Sequence, residues 1–395
     1  MNTARPADVG LCPERTPHIV QALQRDVDRG HLPGAHVLLA RHGRVVRDAT
    51  VGRLDPARDQ ALPRDAIYRI YSMTKPIVSV AALRLVEQGR LLLSDSVGQH
   101  IPGFMKPQVA VPDPQAPDGV RRVPADRPAT LHDLLRHTAG LTYEFTGDGP
   151  VNRLYSRAGL GSRQQTNAEL CERLASLPLA HQPGTTWDYS RATDVLGRVI
   201  EVVTGQPLGE HLEQTILQPL GMRDTAFFVP PAQHHRIAEA FAHDPDGGTP
   251  MPMHDPREVP RLEMGGGGLM STAHDYARFL QCLLNGGELE GVRIVSPHTV
   301  AFMTADHLGS AIRHTQNPLL PPGHGFGLGV AVRTAAGEAT VHGSVGTWHW
   351  SGIGGTHFFV DPALKLFAIF MAQCPNQRMH YRLKMRGLVY GAVVG

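Results

Sequence analysis

Residues 68–89 read YRIYSMTKPIVSVAALRLVEQG, and they place Lys75 three residues after Ser72 at the entrance of an apolar segment. Residues three apart lie on one face of a helical turn, so the Lys75 amine can reach the Ser72 hydroxyl. Pro76 fits best in the first turn of a helix, which puts Ser72 at the helix entrance. There a backbone N–H lacks an intrahelical partner, and the helix dipole favours a developing anion. This segment can therefore supply a nucleophile, its base and an anion-stabilising donor.

Lysine is rare in this chain, which has only four lysines beside 34 arginines. Arginine stays protonated and cannot act as a base, whereas a lysine desolvated among apolar neighbours can lose its proton near neutral pH. A lysine retained in such a chain is therefore a candidate for chemistry. The alternative is a helix-capping serine followed by a surface lysine, and the spacing of Ser72 and Lys75 alone does not exclude it.

Two further segments carry candidate site residues. Residues 183–197 read PGTTWDYSRATDVLG, and Tyr189 ends the Gly- and Thr-rich loop at the start of this stretch. An amphipathic helix follows directly, and a phenol at its entrance can project into a cleft. A tyrosine near an ammonium can act as general acid or base, although at a helix entrance it is more often a packing residue. Residues 346–362 read GTWHWSGIGGTHFFVDP, and the glycines allow the backbone to approach a ligand closely. The N–H of Ile353 is a candidate oxyanion donor.

Together and in this order, the three segments resemble the serine β-lactamase and penicillin-recognising superfamily. The closest similarity is to class C β-lactamases and to the β-lactamase-like carboxylesterases called family VIII. SMTK (72–75) matches the S-x-x-K motif, YSR (189–191) occupies the Y-x-N position, and WSG (350–352) occupies that of K-T-G. The phrases LLRHTAGL and GGGGLMSTAHDYARFL look like the same family. The resemblance spans about residues 15–390.

The resemblance implies an α+β fold, with a central antiparallel sheet flanked by helices and a largely helical second domain beside the active site. It also implies roles for matching positions. Ser72 would be the acylated nucleophile and Lys75 its proton acceptor, while Tyr189 would relay protons. The backbone N–H groups of Ser72 and Ile353 would form the oxyanion hole. The positions expected to bind substrate are Trp350, Ser351, Gly352 and Arg191.

Two of these positions depart from the β-lactamase pattern. Arg191 stands where an asparagine would contact a lactam side-chain amide, and Trp350 stands where a lysine would attract the substrate carboxylate. An indole removes that attraction and provides an aromatic wall, and family VIII esterases commonly have W-x-G here. We therefore expect a serine carboxylesterase that cleaves short-chain or aryl esters through an acyl-enzyme on Ser72. A β-lactamase, D-amino-acid peptidase, amide hydrolase or acyltransferase, or a penicillin-binding module without turnover, remains an alternative.

Composition and missing motifs exclude several other classes. No G-x-S-x-G elbow and no H-E-x-x-H occur, and the four cysteines show no C-x-x-C spacing. We therefore expect no metal, no cofactor and no disulfide framework.

The net charge of +2 does not indicate binding to nucleic acid or to an acidic membrane. No stretch resembles a signal peptide or a membrane span, so a cytoplasmic location is the default expectation, and the oligomeric state is left open.

The chain is long enough for two structural units. Residues 34–52 and 355–373 each predict a strand pair, whereas the sequence between them is mainly helical. We therefore expect a discontinuous α/β domain formed by residues 1–95 and 256–395, and a mainly helical domain formed by residues 96–255. Two long stretches rich in proline, aspartate and glycine are expected to be loops, residues 104–129 and 228–262. They are either lids over a site or poorly ordered segments, and their length favours lids.

Overall fold

The computed structural model describes residues 2–314 and 319–395. Its strands are β1 (Gly34–Arg41), β2 (Arg44–Gly52), β3 (Tyr68–Arg69), β4 (Gln108–Pro112), β5 (Val120–Pro124), β6 (Thr186–Trp187), β7 (Met270–Ser271), β8 (Glu288–Leu289), β9 (Val292–Arg293), β10 (Arg313–His314), β11 (His324–Phe326), β12 (Ala331–Arg333), β13 (Trp348–Ser351), β14 (His357–Asp361) and β15 (Leu366–Ala372). Its α-helices are α1 (Thr16–Asp28), α2 (Thr74–Glu87), α3 (Val97–His100), α4 (Leu131–Leu135), α5 (Pro150–Arg157), α6 (Asn167–Ala175), α7 (Ala192–Thr204), α8 (Leu208–Leu212), α9 (Ala273–Leu284), α10 (Pro297–Met303) and α11 (Arg378–Tyr390).

The central sheet of the described residues has seven strands in the order β11-β12-β13-β14-β15-β1-β2, and neighbouring strands are antiparallel. Strands from the two ends of the chain meet where β1 pairs with β15, with Val37 opposite Phe370. All eight residues of β1 are buried because it lies inside the sheet. The predicted α+β fold with a central antiparallel sheet and flanking helices is confirmed.

Each face of the sheet covers a separate hydrophobic core, because successive side chains of a strand point to opposite faces. Val37 packs in a core that includes Leu23 of α1 and Met385 of α11. Its neighbour Leu38 belongs to the larger core, which includes residues of α2, α7 and α9. Nearly every residue of α2 is buried, so this helix runs through the interior with the candidate nucleophile at its entrance.

The two stretches expected to be loops differ from each other. The expectation for residues 104–129 was wrong, because β4 and β5 form a hairpin in which Val109 lies opposite Val123. The Pro-, Asp- and Gly-rich segment is only the connection between these two strands. Residues 228–262 contain a short 3-10 helix, Pro231–Arg236, and are otherwise irregular. The domain boundaries near residues 95 and 256 stay a prediction.

Among the described residues, no helix combines the length and the hydropathy that crossing a bilayer requires.

Candidate active site

Ser72 lies in a 3-10 turn, Tyr71–Met73, that runs directly into α2. The turn is closed by the Met73 N–H, which donates to the Ile70 carbonyl at 3.0 Å. Tyr71 has a φ of +45°, a left-handed conformation that residues with a side chain rarely adopt and that often marks functional sites. Ser72 is partly exposed, whereas Lys75, one turn further, is completely buried. The turn therefore presents the serine hydroxyl above a buried amine.

The Lys75 amine has three hydrogen-bond partners. Its Nζ donates to the Gly266 carbonyl at 2.6 Å and to the Tyr143 hydroxyl at 3.0 Å, and it lies 3.5 Å from the Ser72 Oγ. None of these partners is a carboxylate. Two N–H bonds are directed to Gly266 and Tyr143, so the remaining position on the nitrogen faces Ser72. A neutral Lys75 would turn its lone pair towards the serine proton.

Tyr143 is a site residue that the sequence did not reveal. Its ring stacks on Phe145 with centroids 4.7 Å apart, and the Arg191 guanidinium lies 5.2 Å from its centroid. Burial, and to a smaller extent the charge of Asp194, raises the pKa of Tyr143 well above its ordinary value. The hydroxyl thus stays protonated at neutral pH. The only signal in the sequence was its place two residues after the phrase LLRHTAGL.

Tyr189 contributes its ring face to the lysine. The Lys75 Nζ lies 4.5 Å from the Tyr189 centroid, and the ring also contacts His137 and Trp350, with centroids 5.0 and 5.2 Å away. The Tyr189 hydroxyl is buried and has no hydrogen-bond partner among the described residues. The pKa of His137 is held well below its usual value, first by burial and then by the charge of Lys75. A neutral imidazole therefore packs beside the tyrosine.

Arg191 is placed differently from the predicted substrate contact. Only 2% of the residue is exposed, and its guanidinium donates to the carboxylates of Glu144 and Asp194. The guanidinium lies against the ring of Tyr143, which contacts Lys75 in turn. This packing fits a residue that fixes the position of Tyr143. Substrate binding by Arg191 stays a prediction that its burial does not favour.

A glycine-rich loop passes directly beside the lysine. The Gly266 N–H donates to the Asp194 carboxylate at 2.7 Å, while its carbonyl accepts from Lys75. A Cβ at position 266 would lie 2.7 Å from that carboxylate and 2.8 Å from the Tyr143 hydroxyl, which is too close for any larger residue. The sequence showed this loop only as a phrase typical of the family. In the structure Gly266 contacts Asp194, Tyr143 and Lys75 so closely that only glycine fits at this position.

The third predicted segment borders the Ser72 turn through its backbone. A Cβ on Gly352 would lie 2.4 Å from the Ile70 carbonyl, so only glycine allows the strand to approach the Ser72 turn. The following turn is closed by the N–H groups of Gly352 and Gly355, and the Ile353 N–H takes part in neither bond. The Ile353 N–H thus remains a candidate oxyanion donor.

The side chains of this segment have separate environments. Trp350 is 3% exposed and packs between Tyr189 and Phe326, with both ring centroids 5.2 Å away. Its indole Nε1 has no hydrogen-bond partner among the described residues. The Ser351 Oγ is 2.8 Å from the His357 Nδ1, so its hydroxyl is already engaged. Trp350 therefore forms an apolar wall behind Tyr189.

The long stretch of residues 228–262 reaches the site at His254. Its ring meets Tyr71 edge-on with centroids 5.0 Å apart, and its carbonyl accepts from the Arg69 Nε at 2.6 Å. Burial lowers the pKa of His254 to about 3, with smaller contributions from Arg163 and Arg69. The neutral ring thus covers Tyr71, the residue that precedes Ser72.

Comparison with known proteins agrees with this geometry. A model of the family described as Beta-lactamase matches residues 19–388. The chain belongs to this family. An uncharacterized protein of Mycobacterium tuberculosis is 36% identical over 365 residues, which cover 90% of each protein. Esterase EstB of Burkholderia gladioli is 34% identical over 386 residues, which cover 91% of each protein.

A solved structure shares the family fold over nearly the whole length. It is described as EstCE1, a hydrolase with promiscuous acyltransferase activity, and superposes with a TM-score of 0.79 at 29% identity. The match covers 96% of this chain and 99% of EstCE1. The predicted resemblance to the β-lactamase superfamily is therefore confirmed.

Proposed function

We propose that this protein is a cytoplasmic serine carboxylesterase of the family VIII type, which cleaves short-chain or aryl esters through an acyl-enzyme on Ser72. The observation that carries the proposal is the contact between a partly exposed serine and a completely buried lysine whose hydrogen-bond partners include no carboxylate. The esterase among the relatives and the hydrolase with the same fold support this reaction class.

In the acylation step, the Ser72 Oγ attacks the ester carbonyl and its proton passes to the Lys75 Nζ. The separation of 3.5 Å is long for a hydrogen bond, and such catalytic contacts often shorten only when substrate is bound. Tyr143 and the Gly266 carbonyl hold the amine while it accepts the proton. The proposed roles thus need no metal ligand and no carboxylate base.

The tetrahedral intermediate would place its oxyanion at the backbone N–H groups of Ser72 and Ile353. The hydroxyl of Tyr189 has no hydrogen-bond partner among the described residues, and it would deliver its own proton to the departing alcohol oxygen and regain one from the protonated Lys75. A water molecule then attacks the acyl carbonyl and gives its proton to the Tyr189–Lys75 pair, which passes that proton to the Ser72 oxygen as the carboxylic acid departs. Each step uses groups that lie around one buried amine.

The side chains around the site favour a neutral ester over a penicillin. Position 350 carries an indole, and the Arg191 guanidinium is occupied by two carboxylates. Neither side chain offers a free positive charge to a substrate carboxylate. Trp350 and Tyr189 instead pack against each other, so the buried wall beside the site is aromatic and uncharged, which suits a neutral aryl or short acyl group.

Hydrolysis of p-nitrophenyl butyrate without added metal tests the proposal. We expect turnover in the wild type, none in Ser72→Ala, and a loss of acylation in Lys75→Arg, because arginine cannot accept the proton. Lys106→Arg at an exposed lysine is the matched control and should keep full activity. Rapid cleavage of nitrocefin would instead favour a β-lactamase, and activity that survives in Ser72→Ala would refute the site.

A further inference from the structure

We propose that this chain also binds one Zn²⁺ ion, in a cluster formed by His36, Asp48 and His274. The three residues come from separate elements, β1, β2 and the first turn of α9. Their donor atoms lie within 4.8 Å of one another, and among the described residues no other His, Cys, Asp and Glu side chains form such a group. The site is independent of the proposed esterase chemistry.

The distances within the cluster are close to those of a metal site. The His36 Nε2 is 2.6 Å from the Asp48 Oδ1, and the His274 Nε2 is 3.0 Å from the Asp48 Oδ2. A tetrahedral Zn²⁺ with bonds of about 2.0–2.1 Å separates its ligand atoms by about 3.3 Å. Outward shifts of less than about 1 Å would therefore admit the ion. A water molecule would take the fourth position.

The fold fixes two of the three ligands before any ion binds. His36 is completely buried in the inner strand β1, and its Nε2 lies against the Asp48 carboxylate. The β1–β2 register sets Asp48 opposite Leu38, which makes it the diagonal neighbour of His36 on one face of the sheet. Binding would therefore cost little ordering of either ligand.

The third ligand comes from the N-terminus of α9. Thr272 caps this helix by accepting from the Asp275 N–H at 3.1 Å, which orients the first turn over the sheet. The side chain of His274 is 47% exposed and leaves the cluster open to solvent. An ion can therefore enter from the surface without rearrangement of the core.

The ligand types favour Zn²⁺ over Ca²⁺ and Mg²⁺, while the nearby Arg64 guanidinium opposes the binding of a cation. Two imidazole nitrogens and a carboxylate suit Zn²⁺, whereas Ca²⁺ and Mg²⁺ need oxygen ligands. The Arg64 guanidinium lies 3.7 Å from the Asp48 carboxylate, and its side chain is 64% exposed. Arg64 is thus an exposed positive charge that competes with the ion for Asp48. Its removal should strengthen metal binding.

A bound ion would fasten α9 to the edge of the sheet. The same helix reaches the nucleophile turn, because the Tyr276 hydroxyl donates to the Met73 carbonyl at 2.9 Å. Because the ion would link α9 to β1 and β2, it should stabilise the folded protein. The expected result is a higher Tm with Zn²⁺.

Calorimetric titration of the EDTA-treated full chain with ZnCl₂ tests the proposal. The wild type should bind one ion, and His274→Ala should weaken binding by at least about tenfold. His298→Ala is the matched control, because both histidines occupy the second position of a helix after its N-cap. This control should bind as the wild type does, and Arg64→Gln should bind more tightly.

A second measurement guards against loss of structure in a variant. Co²⁺ added in place of Zn²⁺ should give the visible absorption of a tetrahedral site in the wild type and in His298→Ala. The bands should be absent in His274→Ala and in Asp48→Asn, both checked by circular dichroism. Equal Zn²⁺ affinity in the wild type and His274→Ala, or no saturable binding, would overturn the proposal and leave a hydrogen-bonded cluster. Neither result depends on esterase activity.

Discussion

Replacement of Tyr143 by phenylalanine removes one of the contacts that hold the Lys75 amine. The hydroxyl accepts from the Lys75 Nζ at 3.0 Å in a completely buried setting, so its loss leaves an amine N–H without a partner. The amine becomes charged when it accepts the Ser72 proton, and a hydrogen bond to a charged group contributes about 1.5–3 kcal/mol. Lost in the transition state, this energy corresponds to a fall in kcat/KM of about 10- to 150-fold.

The assay is steady-state hydrolysis of p-nitrophenyl butyrate, and the control is Tyr155→Phe. Tyr155 is also completely buried, but its hydroxyl makes only a 3.4 Å contact to the Pro178 carbonyl. The control should change kcat/KM by less than about threefold, since a 3.4 Å bond is weak. A folded Tyr143→Phe variant with nearly full activity, or an equal loss in both variants, would refute the reasoning.

Other substitutions give separate expectations. Gly266→Ala should abolish activity because its Cβ would meet Tyr143 and a carboxylate, whereas Gly387→Ala, with open space around it, should be neutral. Trp350→Ala should lower the free energy of unfolding in urea by about 3–5 kcal/mol, and a loss below about 1 kcal/mol would contradict its packing role. The pKa of His254 is about 3 in the folded protein and 6.5 in the unfolded chain. Between these values only the unfolded chain binds a proton at this residue, so the stability present above pH 6.5 is lost as the pH falls towards 3. Between pH 7.5 and pH 5, the free energy of unfolding of the wild type should fall by about 1–2 kcal/mol more than that of His254→Gln. An equal pH dependence of unfolding in the two proteins would contradict this expectation.

Sequence patterns could predict those parts of the site that lie within one segment. Ser72 and Lys75 share a helical turn, so their spacing alone places the two side chains together. Tyr143 and Gly266 lie 68 and 191 residues from Lys75, and only the packed fold brings them to the amine. No spacing rule links such distant residues. The same holds for His36 and His274, whose proximity depends on the docking of a helix on a sheet.

The sheet was predictable for a different reason. Each strand pair at the chain ends combines an apolar run with a turn residue, and a hairpin is a local structure. The β4–β5 hairpin was missed because its strands are short and only one of their ten residues is buried, so the Pro- and Gly-rich connection dominates the pattern. For Arg191 the sequence motif predicted a role that the packing of the residue does not favour. Its place in the motif suggested a substrate contact, but Glu144 and Asp194 already hold its guanidinium.

The most direct measurement is intact-protein mass spectrometry after brief mixing with a p-nitrophenyl ester, followed by peptide mapping. We expect an increase by the mass of one acyl group on the peptide that contains Ser72 in the wild type. Lys75→Arg should carry no adduct under the same conditions, while Lys106→Arg should be labelled like the wild type. An adduct on another residue, or equal labelling of Lys75→Arg, would contradict the assignment of Ser72 as nucleophile and Lys75 as its base.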